Sequence, residues 1–174
     1  ILGCGSSVGV PTLSSGWGAC DPANPKNRRR RASILVETGG KTILVDTSPD
    51  LREQLLAAGS PDIDAVLLTH GHADHTHGLD DLRPLHWRRG APLPLYTDRA
   101  TLTILRERFR YMFERVPESP PHFEPPLTAH EIAPGPLAAF NGAIEAVRQD
   151  HGSSGESLGF IFENRFAYSI DVAH

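Results

Sequence analysis

The stretch THGHADHTHG, residues 69–78, sets His70, His72, His75 and His77 within eight positions, with Asp74 among them. The chain has nine histidines in 174 residues. An even spread would leave about 0.4 in such a window, and enrichment of this kind is what metal-binding tracts produce. Imidazole is the commonest metal-ligand side chain. In the pattern His70-x-His72-x-Asp74-His75 the spacers are Gly71 and Ala73, small enough for the backbone to curl tightly. A loop leaving a buried strand in this way can turn His70 and His72 toward one cation and Asp74 and His75 toward a second, a few Å away. Each ion needs three or more protein ligands before water fills the rest, so distant residues must contribute. His151, closing the strand-like run IEAVRQD, and Asp171, closing FAYSID, are the downstream candidates. A carboxylate has two oxygens and can bridge two ions. Imidazole and carboxylate sets accept zinc, manganese, iron and nickel, with availability deciding occupancy.

The elements that must position these side chains can be read from local patterns. Residues 63–69, IDAVLLT, are a short apolar run suited to a buried strand that delivers the histidine stretch at its end. Residues 33–38 and 41–47 are β-rich and separated by Gly39-Gly40, the kind of dipeptide a two-residue hairpin turn demands, so Asp46 falls at the end of the second strand. SPDLREQLLAAG predicts a helix with Ser48 as N-cap, Pro49 at the first position, Asp50 in the first turn and Gly59 as the stop. Its Leu51, Leu55 and Leu56 share a face. GLDDLRPLHW predicts a short helix, LPLY a strand, and residues 98–116 a longer helix. PESPPHFEPP is too proline-dense to be regular, and LTAHEI, LAAF, IEAVRQD, SLGFIFE and FAYSID predict five strands. Together these imply one layered α/β domain over residues 1–174, with a mixed or largely antiparallel sheet.

Composition narrows the classes. With 39% hydrophobic residues the chain can bury a core, and no apolar run is long enough to cross a bilayer. The cytoplasm is the expected address. The chain begins at Ile1 rather than methionine, so residues are expected upstream. Cys4 and Cys20 form no CxxC pair and read as isolated thiols. A net charge of −4 argues against a generally basic nucleic-acid surface. Arginine nevertheless outnumbers lysine fifteen to two, and Arg28, Arg29, Arg30 and Arg31 are consecutive. Such a block is either a solvated run or an anion-facing edge, since a guanidinium fork matches phosphate oxygens. Gly3, Gly5 and Gly9 in the opening LGCGSSVGVPT either bring backbone N–H groups to a phosphate or serve tight turning.

H-x-H-x-D-H at the end of a buried strand, followed by GLDDLR and by a later histidine and aspartate, resembles the metallo-β-lactamase fold superfamily. Within it, LGCGSSVGVPT, DTSPDLREQL and HGLDDLRPL are similar to the phosphodiesterases related to PhnP, which act on phosphoribosyl cyclic phosphate; the likeness runs from Ile1 to Asp171. The resemblance implies an αββα sandwich and two divalent metal ions, zinc or manganese first, iron or nickel also accepted. It implies His70, His72 and His151 on the first ion, Asp74 and His75 on the second, and Asp171 bridging. Asp46 would orient a ligand imidazole through its other ring nitrogen. The family has a further ligand histidine and a catalytic histidine well beyond the bridging aspartate. The chain ends three residues after Asp171, so the general acid and last ligand are expected beyond His174, with the C-terminal part of the sandwich. His174 itself is too near Asp171 to be equated with either. Cys20 stands where the PhnP type gathers several cysteines around a structural zinc; one thiol predicts no such zinc here.

Two ions about 3.5 to 4 Å apart would generate metal-bound hydroxide near neutral pH for in-line attack on phosphorus, with Asp74 orienting or deprotonating that nucleophile. The expected function is therefore hydrolysis of a small, in some cases cyclic, phosphodiester. A ribonuclease Z-like tRNA 3′ processing enzyme is the nearest alternative, and only under it is nucleic acid a partner. A thioester or lactam hydrolase and a metal-binding protein without turnover are the others. No membrane partner is expected, and a homodimer is allowed.

Overall fold

Gly39 and Gly40 both take positive φ, 55° and 71°, the left-handed backbone a two-residue hairpin turn requires. They join β1 (Ile34–Thr38) to β2 (Lys41–Val45) as an antiparallel pair. The computed structural model describes residues 1–173; His174, given no role above, lies outside the described residues. From β2 the sheet continues in parallel through β3 (Ala65–Leu67), β4 (Leu93–Thr97) and β5 (Leu127–Glu131), five strands in the order β1-β2-β3-β4-β5. A second sheet, β6 (Gly135–Pro136), β7 (Ile144–Asp150), β8 (Glu156–Phe162) and β9 (Phe166–Tyr168), is antiparallel throughout.

Parallel strands need cover on both faces, and the sequence supplies it. Ile43, Val45, Ala65 and Leu67 meet Ile144, Ala146, Leu158, Phe160 and Phe162 in a core between the sheets. The opposite face of the first sheet carries Leu44, Val66, Leu68, Leu93 and Leu95. On it lie the helical segments α1 (Leu51–Ala57), α2 (Ala73–Thr76), α3 (Arg83–Arg89), α4 (Arg99–Arg108) and α5 (Arg110–Phe113), which bring Leu51, Leu55, Leu105 and Met112 into that second core. Three layers of the expected αββα sandwich are thus present. Helices over the outer face of the second sheet are not found among the described residues.

Several of the local expectations fail. The predicted helix over 98–116 breaks at Phe109 (φ −128°, ψ 40°) into α4 and α5. The buried positions Leu102, Leu105 and Met112 keep helical spacing across the break, so periodicity carries no trace of it. LAAF is a 3-10 turn, not a strand. Leu137 and Phe140 are buried three residues apart, the period of that turn rather than the two-residue period of a strand. Helix α1 starts at Leu51 with Asp50 in the cap position, two residues later than expected, although Ser48 Oγ still accepts from Asp50 N at 3.2 Å while its hydroxyl donates to Gln54 Oε1 at 2.9 Å. Leu56 is exposed, unlike Leu51 and Leu55.

What positions the site is the common edge at which β2, β3, β7 and β9 all end, just before Asp46, Thr69, His151 and Asp171. Gly78 closes the histidine segment against that edge. Its N–H donates to Thr47 O at 2.9 Å, and a Cβ there would stand 2.0 Å from Ser48 O and 2.8 Å from Leu51 Cβ. Backbone cannot yield as a side chain can, so Gly78→Ala is expected to cost about 1–3 kcal/mol or more. Urea unfolding measures it; wild-type stability in the variant would contradict this packing.

Candidate metal centre

The site is built on the carboxylate of Asp46, which is 0% exposed. The chain leaves β2 with Asp46 at φ 59°, a left-handed conformation that aspartate tolerates better than most residues. Its Oδ1 accepts from Thr69 N at 2.9 Å and both oxygens face Thr69 Oγ1 at 3.0 Å. Oδ2 lies 2.9 Å from His75 Nδ1 and accepts from Tyr168 OH at 3.3 Å. Thr69 Oγ1 is also 2.9 Å from His70 Nδ1. One carboxylate therefore orients His75 directly and His70 through a hydroxyl, in each case by the ring nitrogen that faces inward.

That leaves Nε2 of both rings directed outward. His70 Nε2 is sealed from solvent and has no hydrogen-bond partner, an uncommon state for a buried polar atom. Asp171 Oδ2 lies 3.5 Å from it, 3.1 Å from His75 Nε2 and 3.9 Å from His151 Nε2. His151 Nε2 and His72 Nδ1 are 3.2 Å apart, and Asp74 Oδ2 is 3.2 Å from His75 Nε2. Two groups with donor atoms close enough for one ion result: His70, His72, His151 and Asp171, and Asp74, His75 and Asp171. His70 and His75 form the buried floor while His72 and Asp171 are exposed, so the centre is open on one side. His77, the fourth histidine of the run, is exposed and packs edge-on against Phe109 instead.

The histidine segment curls as tightly as its small spacers predict, and goes further than a loop. It makes one helical turn, α2, with His72 at its N-cap. Thr47 N donates to His75 O at 2.8 Å, Thr76 Oγ1 to His72 O at 2.8 Å, and Arg108 Nη1 to Gly71 O at 2.8 Å. On the far side Ala173 N donates to Asp150 O at 2.8 Å, tying the segment that carries Asp171, itself at φ 53°, to the end of β7. Sequence reasoning singled out Asp46 but not Thr69, Tyr168 or Arg108. The residue before the first histidine carried a usable signal, a hydroxyl beside a candidate ligand; nothing local marks the other two.

Electrostatics separates the two buried histidines. Burial, reinforced by the neighbouring His75, lowers His70 to about 4, so it stands neutral, the form in which an imidazole can bind a cation. For His75 burial acts the same way, but hydrogen bonds to Asp46 and Asp74 outweigh it and raise the ring to about 10. Burial tends to raise Asp74, yet its hydrogen bond with His75 prevails and lowers it, keeping the carboxylate ionised. The Tyr168 hydroxyl is pushed up by burial and by the Asp46 charge, so it donates at any ordinary pH.

Comparison with known proteins follows the same lines. The family described as beta-lactamase superfamily domain matches residues 41–174. A solved diphosphatase from the PhnP family is 38% identical and superposes with a TM-score of 0.78, covering 92% of this chain and 59% of its own. An octanoyltransferase of Porphyromonas gingivalis (strain ATCC BAA-308 / W83) is 40% identical over 154 residues, 87% of this chain and 30% of that protein. A ribonuclease Z of Bradyrhizobium sp. (strain ORS 278) is 43% identical over 70 residues, 38% of this chain and 23% of that protein. The chain therefore spans 59% or less of the length of each of these relatives.

Two outcomes are expected from the Asp46 network. Thr69→Val keeps the side-chain shape but strands His70 Nδ1 and removes the hydroxyl hydrogen bond to the buried Asp46 carboxylate, and should cost about 1–3 kcal/mol in urea unfolding, whereas Thr69→Ser should stay near wild type. In metal-free protein, His75 binds its proton more tightly folded than unfolded. Its contribution to stability is complete below 6.5, its unfolded value, and is lost as the pH rises through about 10. Unfolding midpoints across that interval check this, and a His75→Gln variant whose midpoint falls as steeply as wild type would refute it.

Proposed function

The chain belongs to the metallo-β-lactamase superfamily, in its PhnP-like branch, and on that premise we propose that it is a metal-dependent hydrolase acting on a small phosphodiester, cyclic phosphodiesters included. The observation that carries this reading is the position of Asp171 Oδ2, within 3.1 to 3.9 Å of Nε2 of His75, His70 and His151. One carboxylate oxygen thus faces both donor groups, the arrangement a shared ligand of two cations needs. The residues fit such ions: their donors are imidazole nitrogens and carboxylate oxygens, and one is a buried nitrogen that no protein group satisfies.

On this reading His70, His72 and His151 would hold one ion and Asp74 and His75 the other, with Asp171 within reach of both, and zinc or manganese would suit the set best, with iron or nickel accepted. When bound, the pair supplies water activated near neutral pH and positive charge against the phosphoryl oxygens. The chain's own side chains do the positioning. Asp46 and Thr69 lock the ring planes of His75 and His70 so that Nε2 points outward. Asp74 would accept a hydrogen bond from the attacking water at the carboxylate oxygen not given to the ion and set its line of approach. His72 and Asp171 face the open side, where substrate reaches.

Attack at phosphorus is preferred to attack at a carbonyl carbon because similarity to the PhnP-family diphosphatase extends over 92% of the chain. Likeness to ribonucleases Z, 43% identical over 38% of the chain in one and 29% identical over 80% of it in another, supports the second reading, tRNA 3′ processing; the net charge of −4 weighs against a large RNA surface. The test uses full-length protein with zinc or manganese and bis(p-nitrophenyl) phosphate. Turnover is expected in wild type and in His77→Ala, and loss to background in His72→Ala together with loss of bound metal by elemental analysis. Undiminished turnover in His72→Ala would sink the hydrolase reading. Cleavage of precursor tRNA as efficient as that of the small diester would transfer it to the ribonuclease.

A further inference from the structure

Arg28, Arg29, Arg30 and Arg31 take no part in the metal centre. They line, with Asp50 and Glu53, a cleft of about 550 Å³, within the range of about 300–1,000 Å³ typical of small-molecule sites. Its charge is lopsided. Asp50 is engaged already, 3.0 Å from Arg31 Nε and accepting from Arg31 N at 2.8 Å. Glu53 pairs at 2.6 Å with Arg52, which is not part of the cleft wall. Among the described residues Arg28, Arg29 and Arg30 have no carboxylate partner, three uncompensated guanidinium groups in a chain whose net charge is −4.

Two of the three are held without being neutralised. The Arg28 guanidinium lies over the Trp17 ring, 5.4 Å from its centroid, and Arg29 Nη1 donates to Cys4 Sγ at 3.1 Å. An indole face and a thiol restrain a guanidinium while leaving its charge for something else. The backbone behind them is fixed as well: Gly5 N donates to Arg30 O at 2.8 Å, and Val10 and Arg29 exchange N–H···O bonds of 2.9 Å. Gly5 is needed for this approach, since a Cβ there would stand 2.9 Å from Arg29 O and Arg30 O. The N–H groups of Gly3, Gly5 and Gly9 are spent on Ser33, Arg30 and Ser6 carbonyls. The opening glycines thus serve close packing rather than a phosphate cradle, and anion recognition falls to the arginines.

We propose that this cleft is a binding site, separate from the metal centre, for a small phosphate-bearing molecule, with a diphosphate group as the element it recognises. Pre-positioned guanidinium forks pair bidentately with phosphate oxygens, and a diphosphate offers oxygens and charge enough for three of them. A nucleic acid fits less well. Its recognition spreads cations along a face to neutralise successive phosphates, whereas these arise from four consecutive residues around one concavity, with Asp50 and Glu53 at its wall.

The probe is inorganic pyrophosphate, titrated calorimetrically and by Trp17 fluorescence into full-length wild type, the His72→Ala variant and the double variant Arg28→Ala/Arg30→Ala. A saturable site is expected in wild type. It should survive in His72→Ala within about twofold and weaken by about tenfold or more in the double variant, as loss of two charge-assisted contacts requires. Circular dichroism and the urea midpoint establish that the double variant is folded; Arg28→Lys/Arg30→Lys, which keeps the charge but not the fork, should bind at an intermediate level if the double alanine variant is not. Binding that disappears in His72→Ala and persists in the arginine variants would assign the anion to the metal centre and overturn the proposal. So would the absence of saturable binding, or tight binding of a single-stranded oligoribonucleotide where pyrophosphate binds weakly.

Discussion

A carboxylate with no solvent exposure is tolerable only if its lost hydration is replaced by hydrogen bonds, and Asp46 obtains them from three separate parts of the chain. Thr69 arrives from the end of β3, His75 from the turn that follows, and Tyr168 from β9 in the other sheet. Those partners can meet only if β2 and β3 run parallel with their ends level, if the histidine segment folds back immediately, and if the second sheet packs squarely on the first. The buried charge therefore constrains the register of the sandwich as much as it orients His70 and His75.

The same charge grades the centre from floor to mouth. His70 and His75 sit at the bottom and are fixed through their inner nitrogens; His72 and Asp171 stand at the open side. Three carboxylates, Asp46, Asp74 and Asp171, converge on His75, so the floor has a strong demand for positive charge. A site with that demand, and with a neutral buried imidazole beside it, is suited to cations and poorly suited to a purely apolar ligand.

Charge is distributed with equal economy elsewhere. Carboxylates gather where the strands end, while the arginine run is drawn to the opposite kind of environment, against the opening segment and an indole ring. Overall charge says nothing of this separation, because a net value of −4 averages a carboxylate-rich centre with a guanidinium-rich cleft. Both features rest on short loops strapped by backbone hydrogen bonds, and neither requires a long regular element.

The sequence alone determined the hairpin, the buried strand before the histidines and the layered α/β class, and marked His70, His72, Asp74 and His75 as candidate donors. Each of these is written in near neighbours: glycine pairs, apolar runs, and the tight spacing of His70, His72, Asp74 and His75. Tertiary structure decided the rest. It broke the helix at Phe109, made a 3-10 turn of Ala138–Phe140, and chose Thr69 and Tyr168 as partners of Asp46. It also brought His151 and Asp171, about eighty and one hundred residues from His72, to within hydrogen-bond range of the cluster. Local spacing can specify which side chains are able to bind a cation; only the packing of one sheet on the other brings distant strand ends to the same edge and fixes which of their atoms meet.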